Sequence, residues 1–141
     1  MYIYKEADIH EADQRAHANG LSTNALMETA GRSLYQAIRP LLQDDDRILI
    51  LAGKGNNGGD GIVLARYLLM NHFDVELVFP FGLPRSRTSM EHFQYYRSLR
   101  FPYCQEVDCS REFTVIIDAL LGVGARLPLY GEYRELLHSL V

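Results

Sequence analysis

The sequence predicts an α/β domain built on a mainly parallel sheet, and three observations carry that expectation. Arg47-Ile48-Leu49-Ile50-Leu51-Ala52 is a short, almost continuously apolar run, the pattern of a strand covered on both faces. Strand-like runs then alternate with segments of helical period, which implies right-handed crossovers between parallel strands. Finally, a glycine-rich segment, Gly53 to Gly61, stands between the first of these strands and the helix that follows it. That placement suits a nucleotide-type ligand held on the loop.

Residues from about Lys5 to Asn19 read as a polar helix stopped at Gly20. Ser22 or Thr23 caps a second helix by accepting from an unpaired N–H of its first turn. Leu26, Met27, Ala30, Leu34, Ala37, Ile38 and Leu41 recur along it at three- and four-residue spacings, giving one apolar face. Pro40 disturbs its last turn, and Asp44-Asp45-Asp46 form a solvated corner before the first strand. After the glycine-rich loop a helix runs from about Gly61 to Asn71, and Val75 to Phe79 form a second strand ended by Pro80 and Gly82. A helix from near Ser86 places Met90, Phe93, Tyr96 and Leu99 on one face. A weaker strand is expected through Tyr103 to Val107, and a last clear one from Phe113 to Ile117, closed by Asp118. The chain stops within an apolar helical pattern, Tyr133, Leu136, Leu137, Leu140 and Val141. A doubly wound domain normally adds further strands, so residues 1–141 are expected to form one domain, truncated at its C-terminal side.

At 141 residues the chain has the size of one domain, and 48% hydrophobic with 23% charged residues is an ordinary globular composition. Its net charge is -4 and the charges are interspersed, which argues against nucleic acid as a direct partner. Cys104 and Cys109 are too far apart for a CxxC pair and give no disulfide framework. The N-terminus has no signal-peptide pattern, and no apolar run approaches the roughly 20 residues that span a bilayer. The expectation is a cytoplasmic protein that does not engage a membrane.

Gly53-Lys54-Gly55-Asn56-Asn57-Gly58-Gly59-Asp60-Gly61 holds five glycines in nine residues. Glycines there allow turns at positive φ and close approach of a ligand to the main chain, and the helix start adds partial positive charge. The segment lacks the Gly-Lys-Ser/Thr ending of a P-loop. It fits GxGxxG from Gly53 to Gly58, but the next strand ends in Phe79-Pro80 rather than in an acid for a ribose, with Asp74 before it and Glu76 within it. An ordinary NAD-dependent dehydrogenase is therefore a poor fit. Asp60 is open to two roles, cap of the following helix or ligand contact.

Asp118 stands at the carboxyl end of a buried strand, before Ala119-Leu120-Leu121-Gly122-Val123-Gly124-Ala125-Arg126-Leu127-Pro128. If its strand neighbours the first one, the two loops flank the crevice where α/β sheets bind ligands. Arg126 is then available to a phosphate. Asn57 and Asp118 offer hard oxygen donors for an alkali or alkaline-earth ion. His10, His17, His72, His92 and His138 are scattered and build no transition-metal cluster.

Taken together, Met27-Glu28-Thr29-Ala30-Gly31, Gly53 through Gly61, and Asp118-Ala119-Leu120-Leu121-Gly122-Val123-Gly124 resemble the YjeF N-terminal domain family, the NAD(P)H-hydrate epimerases. The resemblance covers nearly the whole chain. It implies a Rossmann-like three-layer α/β/α sandwich, often a homodimer. The activity it implies interconverts the R and S forms of hydrated NADH and NADPH. A nucleotide-dependent dehydratase, separate or fused on the C-terminal side, then restores the cofactor. By the same resemblance Asn56, Asn57, Gly58, Gly59 and Asp60 contact the hydrated dinucleotide, as do Gly122, Val123, Gly124, Ala125, Arg126, Leu127 and Pro128. Asn57 and Asp118 help hold a potassium ion.

Two departures stand out. Thr29 replaces the Asn usual in the first motif, and the family's later Asp-x-Pro-Ser-Gly segment does not occur within 141 residues. Asp118 is the local candidate for the carboxylate that protonates the leaving hydroxyl and stabilises the planar cation. The rival reading is a non-catalytic dimerisation and binding module, as the same fold serves in an RNA-decapping scaffold. The intact loop and Asp118 favour the enzyme.

Overall fold

The computed structural model describes residues 22–108 and 110–120, and residues 2–5 as backbone. Four parallel strands, β1 (Tyr2–Lys5), β2 (Arg47–Ala52), β3 (Asp74–Val78) and β4 (Val115–Ala119), form one sheet in the order β1-β4-β2-β3. Among the described residues three helices lie between them in sequence, α1 (Thr23–Ile38), α2 (Asn56–Met70) and α3 (Arg87–Ser98). The chain steps from β2 outward to β3 and then returns to place β4 on the other side of β2. Strand order thus reverses between β2 and β4, so their carboxyl ends open a crevice.

Alternation along the central strands divides the core. Ile48, Ile50 and Ala52 of β2, Val75 and Leu77 of β3, and Val115 and Ile117 of β4 join one cluster with Leu34, Ile38, Ile62, Leu64, Leu68, Phe93 and Tyr96 of the helices. All three described helices therefore cover one sheet face. On the other face Leu49, Leu51, Val78, Ile116 and Leu120 pack with Phe81, Cys104, Val107 and Phe113. The α/β class and the parallel sheet match the sequence expectation, and the described helices make up one of its outer layers.

Ser22 caps α1, accepting from the Ala25 N–H at 3.1 Å, and Ser86 caps α3, accepting from the Ser89 N–H at 3.3 Å. Pro40 converts the end of α1 into a short 3-10 turn, Arg39–Leu41. Leu41, expected on the apolar face of α1, lies in that turn and is exposed, and Ala37 falls on the solvent side of the helix itself. On α3 only Phe93 and Tyr96 of the expected stripe are buried; Met90 and Leu99 face out, while Thr88 and Ser89 are buried.

Four further expectations change. The strand expected through Tyr103 to Val107 reduces to a single bridge between Val78 and Cys104, because the chain crosses the edge of β3 rather than running along it. Asp118 lies inside β4 rather than just after it, paired in register with Leu51. β1, which composition did not suggest, pairs with β4 along Tyr2 to Lys5 and takes in Lys5, from about which a helix was expected. The rest of that expected helix lies outside the described residues. Finally α2 begins at Asn56, five residues before the expected Gly61.

Candidate functional site at the carboxyl ends of β2 and β4

The early start of α2 changes what the glycines do. Among the described residues only Gly82 has a positive φ among glycines, so the Gly53–Gly61 segment is not a chain of left-handed turns. Its glycines are there for close approach. A Cβ on Gly58 would fall 1.9 Å from the Gly53 carbonyl oxygen, and one on Gly59 would strike the ends of Met27 and Ser89 at 2.4 Å. The turn Gly53-Lys54-Gly55 folds directly onto the first turn of α2, and Gly55, at the capping position before it, supplies no side-chain cap. Its first N–H groups are left for other partners.

Hydrogen bonds hold this turn from both sides. The Gly53 N–H donates to the Ala119 carbonyl at 2.9 Å. The Lys54 carbonyl accepts from Arg85 N–H at 2.8 Å and from Ser86 N–H at 3.2 Å. Ser89, fully buried, donates its hydroxyl to the Gly55 carbonyl at 2.8 Å. Ser89 was invisible in the sequence, since a serine in the first turn of a polar helix carries no distinguishing pattern.

Asp118 is 8% exposed, and its Oδ1 accepts from the Leu120 N–H at 3.0 Å. That bond fixes the carboxylate where β4 ends. A Cβ on Gly53 would come within 2.5 Å of the Leu120 carbonyl oxygen, so the turn after β2 and the chain leaving β4 are in direct contact. The structure therefore brings the start of the glycine loop beside Asp118. Asn56 is exposed and Asn57 half-buried on the first turn of α2. Asp60 is the fifth residue of that helix and 6% exposed, so it does not cap it. Gly122 to Pro128 lie outside the described residues.

Behind the site, α1 and α2 cross closely at the first motif. Gly31 faces Val63, whose Cγ1 would be 2.2 Å from a Cβ at that position, and Met27 fills the space over Gly59. Glu28 accepts from the buried Arg66 guanidinium and from the Tyr67 hydroxyl. Arg66 lies between the Tyr67 and Tyr95 rings, 4.9 and 5.1 Å from their centroids. Burial, then the neighbouring Glu28, pushes the Tyr67 hydroxyl above its usual range. Thr29 is exposed on the same helix. The motif is thus partly a helix-crossing device.

On β3, both acids considered for a ribose are engaged elsewhere. Arg111 pairs with Asp74 at 3.1 Å and with Glu76 at 2.9 Å. Among the described residues no group of three or more His, Cys, Asp or Glu gathers to hold a metal ion. His72 is exposed and His92 contacts the Asn24 carbonyl through Nε2 at 3.1 Å. Cys104 is a free thiol that burial, then Glu76, pushes up to about 11. No described helix is long and apolar enough to cross a membrane.

Fold and site together define a switch-point α/β domain with a glycine-rich turn and a buried carboxylate across the crevice. The family model described as YjeF-related protein N-terminus matches residues 23–141, and the chain belongs to that family. It is similar to the bifunctional NAD(P)H-hydrate repair enzyme Nnr of Thermosynechococcus vestitus, 36% identical over 133 residues, covering 92% of this chain and 26% of the relative. It is also similar to the NAD(P)H-hydrate epimerase of Leuconostoc citreum, 37% identical over 126 residues, covering 88% of this chain and 56% of the relative. The corresponding epimerase of Entamoeba histolytica is 33% identical over 143 residues, with 96% and 61% covered. The chain thus spans about a quarter of the bifunctional relatives and somewhat over half of these epimerases. The crystal structure of the yeast protein YNL200c superposes with a TM-score of 0.74 at 22% identity, over 99% of this chain and 65% of that one. That likeness concerns the fold.

Proposed function

We propose that this chain carries NAD(P)H-hydrate epimerase activity, interconverting the R and S forms of hydrated NADH and NADPH. The observation that carries the reading is the contact across the switch point, with Gly53 bonded to Ala119 beside the buried Asp118. Family membership and relatives that bear the epimerase name point to the same reaction.

In this reading the first turn of α2, with Asn56, Asn57, Gly58, Gly59 and Asp60, holds the substrate's pyrophosphate. Unpaired N–H groups and the helix dipole favour the negative charge there. Gly122 to Pro128 complete the other wall. Asp118 lies at the nicotinamide end. Its carboxyl group gives a proton to the ring hydroxyl as the ring nitrogen's electron pair expels it, and the C–O bond breaks to release water. The planar cation that remains is attacked by water on either face, and the carboxylate takes the proton back. Proton and water balance over the cycle, and only the stereochemistry changes.

In its alternative role, as an ionised ligand rather than a proton donor, Asp118 would join Asn57 in holding a potassium ion. They supply oxygen donors only, one carboxamide and one carboxylate, which fits a hard cation and not a transition metal. When bound, the ion supplies positive charge that neutralises the substrate's phosphates. A dehydratase acting on the same hydrate, fused or separate, and a cytoplasmic setting complete the proposal, with a homodimer as its assembly.

Chromatography of R and S NADH hydrate over time, with and without the protein in potassium buffer, tests this reading. Exchange faster than the spontaneous rate, and slower when sodium replaces potassium, is expected. An unaccelerated exchange would leave the non-catalytic binding module as the better reading.

A further inference from the structure

A second concave surface lies on the β3 side of the glycine turn, opposite the side occupied by Asp118. The loop after β3 and the outer face of α3 border an open cavity of about 510 Å³, within the range of small-ligand sites. Leu83, Pro84, Met90 and Phe93 make its apolar lining, and Arg85, Arg87 and Arg97 also line it. Glu91 also lines it and pairs with Arg87 at 3.2 Å. Arg85 and Arg97 form no ion pair among the described residues. Arg97 instead lies against aromatic faces, 5.6 Å from the Phe93 centroid and 5.9 Å from that of Tyr103, which holds a planar fork in place.

The cavity is tied to the glycine turn. Arg85 and Ser86 both donate main-chain N–H groups to the Lys54 carbonyl. The Lys54 side chain runs along Gly82, its Cε 3.0 Å from where a Cβ would stand. A dinucleotide whose pyrophosphate sits at the start of α2 must extend both ways from it. One half reaches the β4 side and the other the β3 side, where such folds bind the adenosine ribose. An acid at the end of the second strand there selects the free 2′-hydroxyl, and an arginine accommodates a 2′-phosphate. Here β3 is followed by Phe79-Pro80, and Asp74 and Glu76 are held by Arg111. The cations at this end stand against a chain whose net charge is -4.

We infer that the Arg85–Arg97 cavity receives the phosphorylated ribose of the substrate, so that the domain prefers NADPH hydrate to NADH hydrate. The inference rests on the proposed epimerase reading for its substrate, but its test does not depend on turnover. Isothermal titration of the full chain with 2′-phospho-ADP-ribose and with ADP-ribose compares the two ribose forms directly. The wild type should bind the phosphorylated form roughly tenfold more tightly, the size of one charge-assisted hydrogen bond. That ratio should collapse toward unity in Arg85→Ala/Arg97→Ala and persist in Arg39→Ala, which removes the same charge beside Phe73 at the other end of the sheet. Arg85→Ala alone, at an exposed position, keeps the comparison should the double variant fold poorly. Equal affinities in the wild type, or a preference that survives loss of both arginines, would overturn the assignment. A preference abolished as described, with neither hydrate exchanged faster than spontaneously, would instead refute the epimerase reading and leave the cavity assigned.

Discussion

Gly53 donates its amide hydrogen to the carbonyl of Ala119 at 2.9 Å, one residue beyond Asp118. Through that bond the backbone leaving β2 is stitched to the end of β4 at the point where strand order reverses. The turn has no slack, because the Gly53 carbonyl oxygen also fills the place of a Cβ on Gly58.

Gly58→Ala should therefore act at the site and on the fold together. The added methyl must displace main chain rather than a flexible side chain, and such overpacking costs about 1–3 kcal/mol. A lowered midpoint in denaturant and a weakened dinucleotide affinity are expected in one variant. Gly55→Ala, where a Cβ would meet nothing within 4 Å, should leave stability nearly unchanged.

The Glu28–Arg66 pair is best probed by a double-mutant cycle. Glu28→Ala leaves a buried guanidinium with only its tyrosine neighbours. The expected loss is about 1–3 kcal/mol, less than for a fully buried pair because the Glu28 side chain is 36% exposed. Adding Arg66→Met should recover part of that loss. Strict additivity of the two single variants in urea denaturation would show that the pair is uncoupled.

Alkaline pH should destabilise the fold through groups whose protonated form is favoured by burial. The Cys104 thiol is pushed from 9.0 to about 11, and burial also raises the Tyr96 hydroxyl. Between pH 9 and 11 the folded chain keeps a proton that the unfolded chain has lost, so stability falls as pH rises through that window. It is fully present below it. Cys104→Ser should flatten the decline in a series of denaturation curves between pH 8.5 and 11. The same raised thiol should make Cys104 slow toward iodoacetamide at neutral pH.

Much of this architecture was legible in the residues. The apolar run Ile48 to Ala52, the cap at Ser22, the helix start near Ser86, and the glycine segment between strand and helix each announce themselves by local chemistry. The pairing of β2 with β4 then sets the backbone of Asp118 beside the strand that leads into the glycine turn. What stayed hidden depends on partners distant in sequence. β1 is a strand because β4 offers it an edge, with Tyr2 opposite Val115, and nothing within Tyr2 to Lys5 says so. The start of α2 was misplaced because glycines lower helix propensity, whereas here they are helical so that Gly53, Met27 and Ser89 can come close. Arg85, Arg87 and Arg97 share one cavity only after the loop folds back along α3.

The most direct test of the central claim is the rate of R to S exchange of NADH hydrate by Asp118→Asn beside the wild type. Potassium is held constant, and circular dichroism checks the fold. The geometry predicts a fall of about 10²-fold or more, the range for removing a positioned general acid. Exchange by the variant at the wild-type rate would contradict the assignment of Asp118 to the chemistry.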